Sequence, residues 1–265
     1  MCVARARRTL NWGTYVASIV PHEEKKRQVR AARAARGTMS AGAICPQLWK
    51  AVSQGLPLPD NWSVMPLSSR LLDVAVWNDH GETVAQLLTN QCADMLVPRW
   101  HGRTVLQYAA WRGSCRAAAA LLQAKAEVDR ISRDGWGPAL LHAASNCDLD
   151  MIRVLLEGKA DVQLAGDGRV TPLMAAAEKK DTALVQLLID AKADVNAYDE
   201  DCCSVLWYAA AEGRAAVVQV LLEARVDGRG KGTWPPLQSP LHVAAEYGYS
   251  DVVALLQKSI VGPGP

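Results

Sequence analysis

A seven-residue pattern that recurs along the chain constrains its fold more than any other feature of the sequence. The clearest copy reads Thr-Pro-Leu-Met-Ala-Ala-Ala at residues 171–177, and related segments begin at 70, 104, 138, 171, 204 and 239. The spacings between these starts are 34, 34, 33, 33 and 35 residues, and a second apolar block, such as residues 184–189, follows each start. A period of this length is typical of repeat proteins, in which each unit buries its apolar face against its neighbours. We therefore expect an array of stacked units.

The residues around each copy favour a helix with defined ends. A hydroxyl before the helix can accept hydrogen bonds from the first-turn amides, and proline at the first helical position has no amide that needs a partner. Glycine readily adopts the left-handed conformation that commonly ends a helix. The hydroxyl residues are Thr104, Thr171, Ser204 and Ser239, the prolines are Pro172 and Pro240, and the glycines are Gly113, Gly213 and Gly248. Each unit is thus predicted to contain a helix, a turn and a second helix.

With these segments aligned, the chain resembles the ankyrin repeat family. The family pattern is TPLHxAA, then VVxLLL, then GADVN, and residues 171–177, 217–222 and 192–196 are similar to its three parts. The resemblance covers about residues 66–258. It implies an all-α fold, a solenoid of about six helix-turn-helix repeats with hairpin-like fingers. The weak copy at 70 is expected to be an N-terminal cap, and the polar Gln257 and Lys258 favour a C-terminal cap.

Several positions depart from the family pattern where it has glycine. The glycine of GADVN is replaced by a longer side chain in most copies, and so is the glycine at the end of three first helices. If these positions are left-handed, each costs about 1 kcal/mol relative to glycine, which predicts an array less stable than a consensus one. The GADVN positions are Lys125, Lys159, Lys192, Arg225 and a position near Cys92, and the helix-end positions are Asp79, Cys147 and Lys180.

Outside the repeats, the sequence divides into three parts. Residues 1–37 form a basic N-terminal extension that is expected to be partly disordered or helical, and residues 259–265 form a C-terminal tail. Residues 38–65 form a linker, in which a short helix around Leu48 and Trp49 is expected to dock on the first repeat. Residues 1–60 hold ten Lys or Arg and three Asp or Glu, a net charge of +7. Residues 61–265 hold nineteen Lys or Arg and twenty-four Asp or Glu, a net charge of −5. Positive charge is therefore concentrated before the repeats.

The basic segment at residues 25–36 leaves several functions open. Its alanines, arginines and lysines favour a helix. It is interpreted as a nuclear import address, a contact with RNA or anionic lipid, part of an organelle presequence, or a solvated helix or tail. The presequence hypothesis gains from Arg5, Arg7 and Arg8, which precede the first acidic residue, Glu23. We expect no secretory signal, because residues 11–20 are too broken to form its apolar region.

The resemblance implies a protein-binding surface on the concave side of the solenoid, formed by finger tips and the exposed side of the first helices. Trp, Tyr and Arg dominate interface hot spots, and here they cluster in the first three repeats, whereas acidic residues cluster in the fourth and fifth. For Trp77, Trp207 and Tyr208 the alternative is a packing role, because the family often keeps an aromatic residue there. The predicted protein-binding residues are Trp77, Trp100, His101, Arg103, Tyr108, Trp111, Arg112, Arg133, Trp136, Glu178, Glu200, Asp201, Tyr208, Glu212, Trp234 and Tyr247.

No pattern in the sequence is typical of a catalytic or metal site. The seven cysteines form no CxxC pair or zinc spacing, and we interpret them as reduced thiols in an intracellular protein. Residues 228–233 resemble a phosphate loop only superficially, since they lack the GxxxxGK[ST] spacing, and we assign them to an enlarged finger. His142 and His242 lie in or beside the histidine position of TPLH, where the family forms hydrogen bonds between fingers.

These observations together predict a non-catalytic scaffold or adaptor that binds another protein. We expect a monomer without cofactor, metal or small-molecule substrate, and without a transmembrane segment, because no apolar run approaches 18 residues. Its expected location is the cytoplasm, with the nucleus or an imported organelle as alternatives, and residues 25–36 are expected to add a weak polyanion contact. The alternative functions are an adaptor targeted to nucleic acid, the nucleus or an anionic membrane surface, an enzyme with an unrecognised site, and a fragment of a larger ankyrin-containing enzyme or ubiquitin-ligase subunit.

Overall fold

The computed structural model describes residues 46–58, 69–89, 103–131, 137–224 and 239–261. Within these ranges the chain forms thirteen α-helices and no strand, which confirms the predicted all-α class. None of the described helices has the length and apolar character needed to span a membrane. The contacts divide the chain into two compact units, residues 1–74 and 75–265.

The first unit contains one complete described helix, α1, which runs from Pro46 to Gln54. It lies within the segment predicted as a linker, and Leu48, Ala51 and Val52 are buried on one face of it. The expected docking of this helix on the first repeat stays a prediction. The next helix, α2 (Ser69–Trp77), crosses the boundary between the two units.

The second unit consists of helices that follow one another as hairpins. The first helix of a hairpin is α4 (Val105–Arg112), α6 (Ala139–Ser145), α8 (Pro172–Ala177), α10 (Val205–Ala211) or α12 (Pro240–Glu246). The second helix is α5 (Cys115–Gln123), α7 (Leu149–Glu157), α9 (Thr182–Asp190), α11 (Ala215–Glu223) or α13 (Ser250–Val261). Before them comes α3 (Gly81–Thr89), which follows α2 after a short turn. Helix α13 continues three residues past position 258, so the predicted tail begins within a helix.

The predicted hydroxyl caps are present at four of the first helices. The side chains of Thr104, Thr171, Ser204 and Ser239 each accept a hydrogen bond from the amide three residues later, at 3.0, 3.3, 3.2 and 3.1 Å. Pro172 and Pro240 occupy the first turn of α8 and α12. The short pattern therefore fixes where each helix begins.

Left-handed residues mark the helix ends, as the family pattern predicts. Gly113, Gly213 and Gly248 have φ values of 74°, 66° and 76°. The replacements keep the same conformation in five places, namely Asp79, Lys125, Cys147, Lys159 and Lys192, with φ between 55° and 70°. Among the described replacements Lys180 is the exception, because it does not adopt a positive φ and α8 already ends at Ala177. Arg225 and the position near Cys92 lie outside the described residues. Each lysine held in the left-handed conformation costs about 1 kcal/mol relative to glycine.

The apolar core lies between successive hairpins of the second unit. First helices pack on first helices (α4 on α6, α6 on α8, α8 on α10, α10 on α12), and second helices pack in the same way (α3 on α5, α5 on α7, α9 on α11, α11 on α13). The alanine pairs permit this close approach, since Ala109, Ala110, Ala143, Ala144 and Ala176 are fully buried. Stability therefore depends on stacking between neighbours, as in other repeat proteins.

A glutamine links the α4–α5 hairpin to the finger that follows it. Gln107 occupies the position that is histidine in TPLH and is almost fully buried. Its Nε2 donates hydrogen bonds to the carbonyl oxygens of Arg130 and Gly137 at 2.8 and 3.0 Å, and its Oε1 accepts from the Thr104 amide at 2.7 Å. The histidines themselves differ from it, because His142 is buried one position further along its helix and His242 is exposed.

Candidate functional site

Three aromatic rings and one guanidinium group come together at the start of the second unit. The rings of Trp77 and Tyr108 are stacked with centroids 6.0 Å apart, and the rings of Tyr108 and Trp111 are also 6.0 Å apart. The Arg112 Cζ atom lies 3.8 Å from the centroid of the Trp77 ring. A cation over a tryptophan face at an exposed site contributes about 0.5–1 kcal/mol. We call Trp77, Tyr108, Trp111 and Arg112 the Trp77 cluster.

The repeat register brings these four side chains together. Trp77 and Trp111 occupy equivalent positions, each seven residues after the start of its repeat. Tyr108 and Trp111 are three residues apart on α4 and therefore share a face of that helix. The three aromatic side chains are half-buried, whereas Arg112 is exposed. The result is a surface of adjoining rings with a fixed positive charge at one edge.

The next hairpin supports the end of α4 from the other side. The Asn146 side-chain amide donates a hydrogen bond of 2.8 Å to the Trp111 carbonyl oxygen. Gly113 ends the helix in the left-handed conformation one residue after Arg112. Both features hold Trp111 and Arg112 on a defined backbone.

A second group of polar residues joins the α8–α9 hairpin to the α10–α11 hairpin. Glu178 is buried at the end of α8, and its Oε2 lies 3.8 Å from the Lys179 Nζ. Arg214 donates from Nε to the Glu178 carbonyl oxygen at 2.8 Å and from Nη2 to the Glu212 carboxylate at 3.1 Å. We call Glu178, Lys179, Glu212 and Arg214 the Glu178 cluster. It fastens the two hairpins to each other.

Burial changes the acidity of Glu178. Removal of the carboxylate from water raises the pKa of Glu178 to about 7, an effect that Lys179 opposes, Glu212 reinforces and Arg214 opposes. The charged form is therefore disfavoured in the folded protein near neutral pH. Because the side chain is nearly inaccessible, it is poorly placed to contact a partner directly.

The predicted contact residue Tyr208 is also buried. Its hydroxyl donates a hydrogen bond of 2.7 Å to the Asp199 carboxylate, which also accepts from the Cys203 amide at 2.7 Å. Burial raises the pKa of Asp199, although both hydrogen bonds lower it, and burial also raises the pKa of Tyr208. Trp207, buried beside it, meets the Tyr208 ring edge-on at 5.6 Å. These contacts match the packing role that was the alternative for Trp207 and Tyr208.

The remaining predicted residues are dispersed over several elements. Glu200 and Asp201 are exposed in the finger before α10, Arg103 is half-buried just before the cap of α4, and Tyr247 is half-buried with its ring 6.2 Å from that of Tyr249. The other predicted residues, Trp100, His101, Arg133, Trp136 and Trp234, lie outside the described residues. Sequence reasoning missed Gln107 and Arg214. The signal for Gln107 was its place at the histidine position of TPLH, and that for Arg214 was its equivalence to polar residues such as Asp148 and Asp181 in other repeats.

The described residues contain no group of three or more His, Cys, Asp or Glu side chains that could hold a metal ion. Burial and the nearby Asp148 raise the pKa of the Cys115 thiol to about 11, and burial also raises the pKa of Cys203. Such thiols stay protonated at neutral pH and are weak nucleophiles. The Trp77 cluster instead suits a non-covalent contact.

Comparison with known proteins identifies the repeated unit. No curated protein matches the chain. A family model described as ankyrin repeats (3 copies) matches residues 128–199 and 173–262, a span that covers just over half of the 265 residues. The predicted count of six repeats extends beyond this span and stays a prediction. With its capped helix pairs, left-handed turns and matching repeats, the chain belongs to the ankyrin repeat family.

Proposed function

We propose that this protein is a non-catalytic adaptor that binds another protein on the side of the array formed by its first helices. Ankyrin repeats generally mediate protein–protein interaction. The observation that supports this particular surface is the Trp77 cluster, in which three half-buried aromatic rings adjoin an exposed arginine. Aromatic residues and arginine are enriched among residues whose truncation weakens protein interfaces most.

The test compares captured partners between matched variants of the full chain. Trp111→Ala combined with Arg112→Ala removes a ring and the guanidinium from the Trp77 cluster. Arg153→Ala serves as the control, because Arg153 is an exposed arginine on the second helix α7. Wild-type and variant chains are captured from cells and compared by quantitative mass spectrometry, and each specific protein is then tested by reciprocal capture. Partners that bind the wild type and the control but not the double variant support the proposal, whereas equal capture by all three contradicts it.

The basic N-terminal segment supports a second role as a targeting element. Residues 1–60 carry a balance of +7, and polyanion binding by such segments weakens steeply with salt. On this proposal the adaptor is monomeric and acts in the cytoplasm, and the segment directs it to the nucleus or to an anionic surface. Heparin retention that falls with salt and disappears when residues 1–40 are deleted supports this role. Retention unchanged by the deletion contradicts it.

A further inference from the structure

We infer that the Trp77 cluster binds a linear segment of its partner that places a carboxylate on Arg112 and an apolar side chain on the neighbouring rings. This inference rests on the proposed function and specifies the chemistry of the partner. It follows from three observations: Arg112 has no carboxylate partner among the described residues, aromatic rings lie beside it, and the second unit has a negative net charge.

Arg112 is held in place without a carboxylate partner among the residues that the structure describes. Its Cζ atom lies 3.8 Å from the centroid of the Trp77 ring, close enough for the guanidinium to rest with its face on the ring, which would leave the N–H donors along its edge available. Some other basic residues of the second unit have acidic neighbours, as in Arg130 with Glu127 at 3.0 Å and Arg214 with Glu212 at 3.1 Å. Arg112 is therefore an exposed guanidinium group that can donate two parallel hydrogen bonds to a carboxylate.

The rings beside Arg112 make such a pair stronger and add a second contact. Apolar neighbours exclude water, and a charge-assisted hydrogen bond gains strength where the local dielectric falls. Tyr108 and Trp111 are half-buried residues. An apolar side chain placed there would be buried next to the ion pair, which is the arrangement typical of interface hot spots.

The cluster brings both contacts within reach of one short segment. Arg112 lies over the Trp77 ring, whose centroid is 6.0 Å from that of the Tyr108 ring. The segment that fits therefore carries an Asp or Glu within a few positions of an aromatic or aliphatic residue.

The charge of the second unit favours such a segment over a nucleic acid, although rings and arginine also suit stacked bases. Residues 75–265 contain eighteen Lys or Arg and twenty-three Asp or Glu, a balance of −5. A polyanion would be repelled by this unit as a whole, whereas a short segment with one or two carboxylates would meet mainly the local charge of Arg112. The two classes of partner are separated by the experiment.

Selection of random ten-residue peptides displayed on phage, against the full-length chain, tests the inference. The expected consensus is an acidic residue within a few positions of an apolar one. A synthetic peptide of that consensus, labelled for fluorescence anisotropy, should bind Arg112→Gln at least about tenfold more weakly than wild type, since a hydrogen-bonded charge pair is lost. Its binding to Arg153→Gln should be unchanged, and replacement of its Asp by Asn should reproduce the loss.

Several results would overturn the inference. Selected peptides without an acidic residue would do so, as would equal binding to Arg112→Gln when circular dichroism shows that this variant is folded. Displacement of the peptide by an oligothymidine single strand at lower concentration than by unlabelled peptide would assign the surface to nucleic acid. If cellular partners are lost from the Trp111→Ala, Arg112→Ala double variant but retained by Arg112→Gln, the proposed function stands and the carboxylate contact is wrong.

Discussion

The Trp77 cluster and the Glu178 cluster use equivalent positions of the repeat for different purposes. Trp77, Trp111 and Glu178 each lie seven residues after the start of a repeat. In the first region this position carries half-buried rings beside an exposed arginine whose edge faces no described carboxylate. In the second it carries a buried carboxylate, and Arg214 is engaged by the Glu178 carbonyl and by Glu212. The same position of the repeat can thus contribute to an exposed contact surface or to hydrogen bonds between neighbouring hairpins.

The helices that precede the two positions end differently. Helix α4 reaches Arg112 and closes with a left-handed glycine, so Trp111 lies within the helix. Helix α8 stops at Ala177, and Lys180 does not adopt the left-handed conformation. Glu178 is the C-cap residue of α8 and still has right-handed helical dihedrals, with φ −65° and ψ −21°. The contrast between an exposed and a buried side chain at this position therefore depends on packing between hairpins.

The largest effect is expected in the buried core of the α8–α9 hairpin. Leu188 in α9 is fully buried, and its replacement by alanine should lower the free energy of unfolding by about 2–5 kcal/mol, through lost burial and a residual cavity. Urea unfolding measures this change. Gln186→Ala on the same helix is the control, because Gln186 is exposed. A loss below about 0.5 kcal/mol for Leu188→Ala would show that the register of this hairpin is wrong.

The next effect concerns the buried carboxylate of the Glu178 cluster. A pKa raised to about 7 in the folded state, from about 4.5, means that stability present at low pH is lost as pH rises through this window. Glu178→Gln removes this penalty, so the stability of the variant relative to wild type should increase by about 2–3 kcal/mol between pH 4.5 and pH 8. Urea unfolding across this pH range checks the prediction.

A suitable control for Glu178→Gln removes one negative charge from the surface. Glu157 is exposed at the end of α7, so Glu157→Gln tests the effect of net charge alone. If the two variants change in the same way with pH, the burial of Glu178 is not the cause. Burial of Glu178 is also excluded as the cause if Glu178→Gln raises the free energy of unfolding by the same amount at pH 4.5 and at pH 8.

A smaller effect tests the backbone contrast between the regions. Lys192→Gly should raise the free energy of unfolding by about 1 kcal/mol, because Lys192 has a φ of 70° that glycine adopts without strain. Lys180→Gly is the matched control, since Lys180 lacks a positive φ and glycine there only adds freedom to the unfolded chain. Thermal or urea unfolding distinguishes them. If both substitutions raise the free energy of unfolding equally, Lys180 and Lys192 do not differ in backbone conformation as described.

The features that were predicted correctly from the sequence are those that depend on local chemistry. A hydroxyl at a helix start finds the amide three residues later whatever surrounds it, so Thr104 and Ser204 were assigned correctly from the pattern. The left-handed turns at Lys125 and Lys159 also follow from their place in the repeat. Local rules therefore gave the elements and their ends.

What the sequence did not predict depends on contacts between hairpins. Trp77 and Arg112 are thirty-five residues apart, and their stacking requires the exact register of two helices. The Glu178 carbonyl oxygen accepts a hydrogen bond from Arg214 of the following hairpin. Tyr208 was predicted to contact a partner, but its place beside Asp199 depends on how the finger folds back. Equivalence of position indicated which residues share a face, and only packing decided which of them stay exposed.

The smallest expected effect is on the stability of Arg112→Gln, and it gives the most direct test of the contrast between the two arginines. Arg112 is exposed and contributes one ring contact, so its replacement should change the free energy of unfolding by only about 0.5 kcal/mol while weakening partner binding. Arg214→Gln should cost about 1–3 kcal/mol, because the Glu178 carbonyl and the Glu212 carboxylate lose their donor. Paired urea denaturation measures both. If Arg112→Gln were the more destabilising of the two, the Trp77 cluster would be a structural fastening and its availability to a partner would be excluded.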